Sequence, residues 1–467
     1  MHDLVIRGAR VVDGRNLLGP DGAEMDVAIL GEKVVEIAPR IGGPARREID
    51  AAGWLALPGG VDPHVHLGLP SKGTRSSDSV ETGTRAALFG GVTTVIDFTL
   101  QRRGQSLEES LRDRVEEFAG RAYCDHALHV CLTDFPPDIE ERLKMDLAAV
   151  VRLGAGSVKI FTAYSREGMA IPPWAIEPVM RAVAEKGLVL LVHAEDDATI
   201  RASEESLART GRMEIRHFPM SRPSSAEAQA IAQIAQAAAG IKAGAGAAIY
   251  FVHVSSRAGI EAIAAAGDRQ RIFAETCPQY LVLDDRVYDG ADGAQFLVAP
   301  PLRREADRDG LLDALRRGLF DTIGTDHCPF YRADKEKPGA TFLDLPNGLP
   351  GVETRLPLIH TIGVGAGRIS LQEMARLTAT RPAEIFGLSP AKGAIAPGAD
   401  ADIVLFDPGE TWQIEAEKMH MNVDFSPYAG ITVRGSVRFV LLRGATAIED
   451  GGLRVAASGR RLSMRRA

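Results

Sequence analysis

Between residues 58 and 380 the chain alternates two hydrophobic periods, and few architectures tolerate that pattern. Eight short apolar, β-branched runs appear: GGVDPHVHL, GVTTVIDFTL, CDHALHVCL, GSVKIFTAY, GLVLLVHAE, AAIYFVHVSS, QRIFAETCPQY and DTIGTDHCPF. They are too uniformly apolar for a sheet with one wet face and suit strands buried on both faces. Between them lie segments with helical spacing, such as SLEESLRDRVEEFAG, PPWAIEPVMRAVAEKG, SSAEAQAIAQIAQAAAG and DRDGLLDALRRGL. Gly or Pro commonly marks their boundaries, as helix stops require. The α/β alternation predicts a (β/α)8 TIM barrel, somewhat larger than the usual ~250 residues. A doubly wound open sheet competes. It would normally carry a Gly-rich phosphate turn after its first strand, and no GxGxxG stands there.

The two ends have another texture. Residues 1–56 hold LVIRGARVVDG, MDVAILGEKVVEIAP and REIDAAGWLAL; residues 390–467 hold KGAIAPGADADIVLFDP and GITVRGSVRFVLLRGATAIEDG. Neither set has enough strands for a stable sheet alone. The expectation is one small β-sandwich domain, built from both termini and flanking a barrel of residues 57–389. The one biased tract is an Ala-rich helix expected at 227–249.

Composition narrows the function classes. With 45% hydrophobic and 25% charged residues, a disordered chain, a fibre and a disulfide scaffold are excluded. The net charge of −8 argues against nucleic acid as a partner. Cys124, Cys131, Cys277 and Cys328 form no CxxC pair and suit buried thiols of a cytosolic protein. The N-terminus, MHDLVIRGARVVDG, lacks the basic start and apolar block of a secretion signal. No stretch approaches the roughly 18 apolar residues of a membrane span. A soluble cytoplasmic protein without a membrane partner is expected.

Chemistry enters where polar residues interrupt the apolar runs. His64 and His66 stand at i and i+2, on one side of an extended strand. His193, His253 and Asp326 end three other runs, and Lys159 stands inside GSVKIF, where a lone ammonium is costly. In a barrel, the C-terminal strand ends line the catalytic mouth. Taken singly these residues are unremarkable: HVH is often ordinary structure, and an aspartate can cap a helix. Four histidines and an aspartate at four strand ends point together to a metal centre. His126 and His129 lack matching neighbours and read as packing residues.

The order HVH, Lys, His, His, Asp resembles the amidohydrolase superfamily. The longer motifs LPGGVDPHVHL, SVKIFTAY, VHAE, FVHVSS, AETCPQYL, APPLR, GTDHCPF and PNGLPGVETR are similar to its dihydropyrimidinase and D-hydantoinase branch. The likeness spans nearly the whole chain. It implies that His64, His66 and Asp326 hold one divalent metal, usually zinc, and that His193 and His253 hold a second. Lys159 would be N6-carboxylated, its carbamate bridging the metals beside a hydroxide. Tyr164 would contact the substrate carbonyl, Asn347 would bind substrate, and Ala299 would do so through its backbone. Relatives often carry serine at this last position, so any hydroxyl contribution is absent here. Relatives are usually homotetramers, often through C-terminal segments, and 419–430 is the candidate here.

The physics agrees with that set. An unmodified lysine, with a pKa near 10.4, would repel two dications. Its carbamate is instead an anion with two oxygen donors. Metal binding lowers the pKa of water from 15.7 towards ~7, so hydroxide is present at neutral pH. The implied activity is hydrolysis of a small cyclic ureide, a hydantoin or dihydropyrimidine, to an N-carbamoyl amino acid. In this reading the bridging hydroxide attacks, Tyr164 steadies the oxyanion, and Asp326 carries the proton to the leaving nitrogen. Dihydroorotases typically place an arginine, and allantoinases an asparagine, after the second histidine; Leu67 and Gly68 stand here. A non-catalytic interaction protein of this family would usually lack some ligands, and all are present. Lys72, Arg75, Arg102, Arg103 and Arg166 fall in mouth loops, either as solvated charges or as a preference for polar ring substituents.

Overall fold

The computed structural model describes residues 1–15, 21–241, 248–267 and 271–465. Its central sheet has eight parallel strands: β1 (Gly60–Val65), β2 (Val92–Phe98), β3 (Asp125–Cys131), β4 (Ser157–Phe161), β5 (Val189–His193), β6 (Ala248–Phe251), β7 (Ile272–Thr276) and β8 (Thr322–Ile323). Each pairs with its sequence neighbour. The ring closes between β1 and the segment after β8. There His66 N–H donates to the His327 carbonyl at 2.8 Å, and Thr325 N–H to Asp62 at 3.1 Å. This is the expected TIM barrel.

The uniform apolarity of the strands has a direct cause. Side chains alternate sides along a strand, and both sides are covered. In β5, Val189 and Leu191 join a cluster inside the barrel with Val61, Ile96, Tyr250 and Phe273. Their neighbours Leu190 and Val192 join the cluster under the surrounding helices. The same alternation sends Val158 and Ile160 outward to the helices and leaves Lys159 facing the interior. The helices begin at local signals: Ser106 and Glu109 form a capping box before Leu107–Phe118.

Two elements differ from expectation. The Ala-rich helix runs Ser224–Gly240, and Ala248 and Ile249 lie in β6; residues 242–247 lie outside the described residues. The last run forms only a two-residue strand, because the chain turns away at Asp326, whose φ is 51°.

Strands of both termini form a separate nine-stranded sheet. Leu55–Pro58 lies between His2–Val11, which it meets in parallel, and Ile403–Gln413, which it meets antiparallel. Leu4, Ile6, Val27, Ile29, Ile403, Leu405 and Leu441 bury one face together. Beyond this sheet the tail returns to the barrel floor. Leu462 N–H donates to the His126 carbonyl at 2.7 Å, and Met464 packs in the barrel cluster with Phe386. The 419–430 run packs on its own chain: Met421 and Tyr428 are buried, and Asn422 donates to the Ser77 carbonyl at 2.7 Å.

Buried charge joins the two parts. Lys392 Nζ lies 2.6 Å from Asp125, at the foot of β3, and 2.7 and 3.0 Å from Asp402 and Asp400 before the terminal sheet. Arg443 also pairs with Asp125. Removing one member of such a cluster strands the others without solvent, which typically costs about 3–5 kcal/mol. Lys392→Met is therefore expected to destabilise the first unfolding transition in denaturant by that amount. A loss below about 1 kcal/mol would contradict this role.

Candidate metal centre

At the C-terminal mouth, His64 and His66 leave the end of β1 with their Nε2 atoms 3.1 Å apart. Asp326 Oδ1 lies 3.2 Å from the first and 3.1 Å from the second. Three donors around one zinc at ~2.0–2.1 Å in tetrahedral geometry stand roughly 3.3 Å apart, so this triangle fits a single divalent ion. Across the cavity, His193 Nδ1 and His253 Nε2 approach to 2.9 Å. The rings of His64 and His253 have centroids 5.5 Å apart, which links the two groups. Lys159 lines the same cavity and is 1% exposed, and no carboxylate lies within 4 Å of its Nζ among the described residues. Its amine faces the rings of Phe98 and Phe161 at 5.5 and 5.2 Å.

Burial sets the protonation of these groups. It drives His64 and His253 well below, and His193 below, the ordinary histidine range, towards the neutral form that binds metal. Burial also pulls the Lys159 amine down to about 8. For Asp326 burial alone would raise the carboxyl, but His64, His66 and Lys159 hold it below the usual carboxylate range.

The cavity has a volume of about 930 Å³ and is lined by all nine residues singled out in the sequence: His64, His66, Lys159, Tyr164, His193, His253, Ala299, Asp326 and Asn347. The Tyr164 hydroxyl has no hydrogen bond to a described residue, and Asn347 Oδ1 is buried without a partner. Tyr164, His253 and Asp326 all have positive φ, at 74°, 41° and 51°. Such strain in non-glycine residues clusters at functional sites, where the surroundings over-determine it. His126 and His129 stay apart: His126 stacks on Phe118, and His129 bonds Ser157 and the Pro63 carbonyl. Of the basic loop residues, Lys72 and Arg103 line the cavity. Lys72 is matched by Glu167 at 3.5 Å, and Arg166 by Glu204 at 2.6 Å. Arg102 and Arg103 have no ion pair among the described residues, so Arg103 leaves one uncompensated cation in the cavity lining.

Three polar groups around the site were not singled out from the sequence. Glu275 Oε1 lies 2.7 Å from His64 Nδ1, orienting that ring as metal-binding histidines require, and burial raises its carboxyl to about 7. It interrupts the apolar run IFAET as Lys159 interrupts its own, and that signal could have found it. A Cβ on Gly324 would meet Glu275 at 2.5 Å and His64 at 3.1 Å, so this contact requires glycine there. Glu195 lies 2.8 Å from His193 Nε2 and also pairs with Arg222.

The third group is Lys335. It is fully buried and donates to the Leu297 and Gln295 carbonyls at 2.8 and 3.1 Å, behind the segment carrying Ala299. Burial lowers its amine to about 7, whereas the unfolded chain restores the ordinary 10.5. Between those values the unfolded state binds the extra proton, so stability rises with pH across that window. The stability difference between wild type and Lys335→Met is expected to move in favour of wild type as pH climbs from 7 towards 10. A pH-independent difference in denaturant titrations would refute this.

Comparison with known proteins places this geometry. Residues 55–447 match the amidohydrolase family. The chain is 37% identical to a D-hydantoinase of Ralstonia pickettii over 453 residues, covering 96% of each protein. It is 34% identical to a D-hydantoinase of Geobacillus stearothermophilus, covering 94% of this chain and 93% of that one. Among solved structures, the dihydropyrimidinase of Brevibacillus agri superposes with a TM-score of 0.92 at 37% identity, over 99% of both chains. The L-hydantoinase of Arthrobacter aurescens does so at 0.87 and 28% identity, over 98% of both. Matches over nearly the full length of both partners, on a barrel whose mouth gathers these ligands, show that the chain belongs to the dihydropyrimidinase and D-hydantoinase family of amidohydrolases.

Proposed function

We propose that this protein is a cyclic amide hydrolase that opens a hydantoin or dihydropyrimidine ring to an N-carbamoyl amino acid. The carrying observation is the convergence of the His64–His66–Asp326 triangle, the His193–His253 pair and Lys159 on one cavity. In this reading His64, His66 and Asp326 would hold one divalent ion, His193 and His253 would hold a second, and N6-carboxylated Lys159 would be a ligand shared by both; neutral imidazole and oxygen donors suit zinc. Bound there, the metals supply Lewis acidity and hydroxide at neutral pH.

The chain's own groups do the rest. Asn347 Oδ1, buried and unpartnered, accepts the ring N–H and orients the ureide. The free Tyr164 hydroxyl donates to the carbonyl oxygen as negative charge develops, the point at which such a donor has most effect. Ala299 offers its backbone to the ring. Asp326, kept ionised, takes a proton from the attacking water and delivers it to the ring nitrogen as the C–N bond breaks. The division into residues 1–56 with 390–467 and a catalytic 57–389, a homotetrameric assembly and a cytoplasmic location complete the proposal, on the strength of the family resemblance. Among the described residues no helix is long and apolar enough to cross a membrane.

The test is a panel of dihydrouracil, dihydrothymine, hydantoin and both enantiomers of 5-substituted hydantoins, with zinc-replete protein and detection of the N-carbamoyl product. Opening of at least one ring is expected. Inertness towards all of them would sink the reading.

A further inference from the structure

The motifs VHAE, FVHVSS and APPLR each contribute a residue that the proposed chemistry leaves unused, and these residues meet in one buried network beside the cavity. Glu195 is fully buried, and Arg222 and Arg303 are each 6% exposed. Glu195 Oε2 lies 2.8 Å from His193 Nε2 and also accepts from Arg222, whose Nε is 3.1 Å away. Arg303 donates to the Arg222 carbonyl and, at 3.1 Å, to Ser255 Oγ; Ser255 in turn donates to buried Glu227 at 2.9 Å. Two arginines and two glutamates thus balance one another in a largely buried network, of which Arg222 also lines the cavity.

Arg222 has a second contact. Its guanidinium lies 5.0 Å from the centroid of the Tyr164 ring, which also meets the His193 ring at 4.9 Å and the Phe161 ring, edge-on, at 5.9 Å. Tyr164 is therefore held between a metal-site histidine and a cation, at a backbone φ of 74° that a non-glycine residue adopts only when its surroundings insist. With its hydroxyl unbonded to any described residue, the ring is placed by packing: on Phe161, on the Ala163, Ile200 and Ala226 cluster, and between His193 and Arg222. A planar guanidinium can stack on a ring and bind a carboxylate through its edge at once, which a lysine cannot.

We propose that Arg222 is a positioning residue of the active site: its edge, through Glu195, fixes the ring of His193, while its face fixes the ring of Tyr164. One group thereby sets the spacing between a metal position and the hydroxyl that meets the substrate carbonyl. The kinetic part of this inference rests on the proposed ring-opening activity; the geometric part does not.

The test pairs kinetics with a signal independent of turnover. On the best ring substrate, Arg222→Met is expected to lower kcat roughly 10- to 100-fold with little change in KM, as losing such an outer partner does. Tyr164→Phe should lower kcat about 100-fold. The double variant should lose less than the product of the two single losses, because part of the effect of Arg222 passes through Tyr164. Multiplying losses would overturn the proposal. In parallel, protein labelled with 3-fluorotyrosine reports its seven tyrosines by fluorine NMR, with Tyr164→Phe assigning the peak. The Tyr164 resonance should shift or broaden in Arg222→Met while those of Tyr250 and Tyr280 stay. Glu195→Gln/Arg222→Met, which removes both charges and so spares the fold, should show the same change. A Tyr164 resonance identical to wild type in either folded variant would overturn the proposal. If wild type opens no ring, the functional reading fails and the fluorine signal alone decides the role of Arg222.

Discussion

Lys159→Ala is expected to lose roughly ten-thousand-fold in kcat/KM and most of its bound metal. Lys159 faces the two histidine groups from inside the barrel, and its strand neighbours Val158 and Ile160 commit it to that direction. A bare ammonium there has no carboxylate within 4 Å among the described residues, and a pair of dications would make its position worse. Burial provides the way out. With its amine lowered to about 8, a far larger share of it is neutral near neutral pH than for an ordinary lysine. The neutral amine is the form that would combine with carbon dioxide, releasing a proton and giving the carbamate anion of the proposed site. Metal-depleted wild type should therefore recover zinc faster when bicarbonate is added, and Lys159→Ala should not respond. Elemental analysis reads both results. Full occupancy in the alanine variant would remove the bridge from the scheme.

Asp326→Asn should separate holding metal from moving protons. The amide keeps an oxygen where Oδ1 now sits, 3.1–3.2 Å from His66 and His64, so metal content should stay close to wild type. It cannot take up a proton at neutral pH, and general acid–base catalysis of this kind contributes about 10²- to 10⁴-fold. A fall in kcat of about a thousandfold is expected, with KM little changed. Retention of more than a tenth of wild-type turnover at full metal loading would show that another group carries the proton.

Much of the barrel and of the ligand set was legible in the sequence, for a physical reason. A strand buried on both faces must be apolar throughout, so each polar residue in it is conspicuous; Lys159, His193 and His64 stand out on that ground. What surrounds them was less legible because it is assembled across long sequence separations. Glu275 reaches His64 from 211 positions away, and Arg222 reaches Glu195 from 27. Neither spacing is periodic. The positive φ values of Tyr164, His253 and Asp326 were hidden too, since none of these residue types advertises such a backbone as glycine does. Lys335 sits in a loop-rich stretch, YRADKEKPG, where composition alone suggests solvent.

The strand Leu55–Pro58 has one flank satisfied early and the other only by Ile403–Gln413. At ~5–20 residues per second, a ribosome needs roughly 20–70 s to make the intervening chain. Throughout that interval a nascent apolar edge, LALP, is unzipped and open to any other strand it meets. Expression yield should thus depend on how quickly the message between these two strands is read, and slow codons there should favour inclusion bodies over native protein.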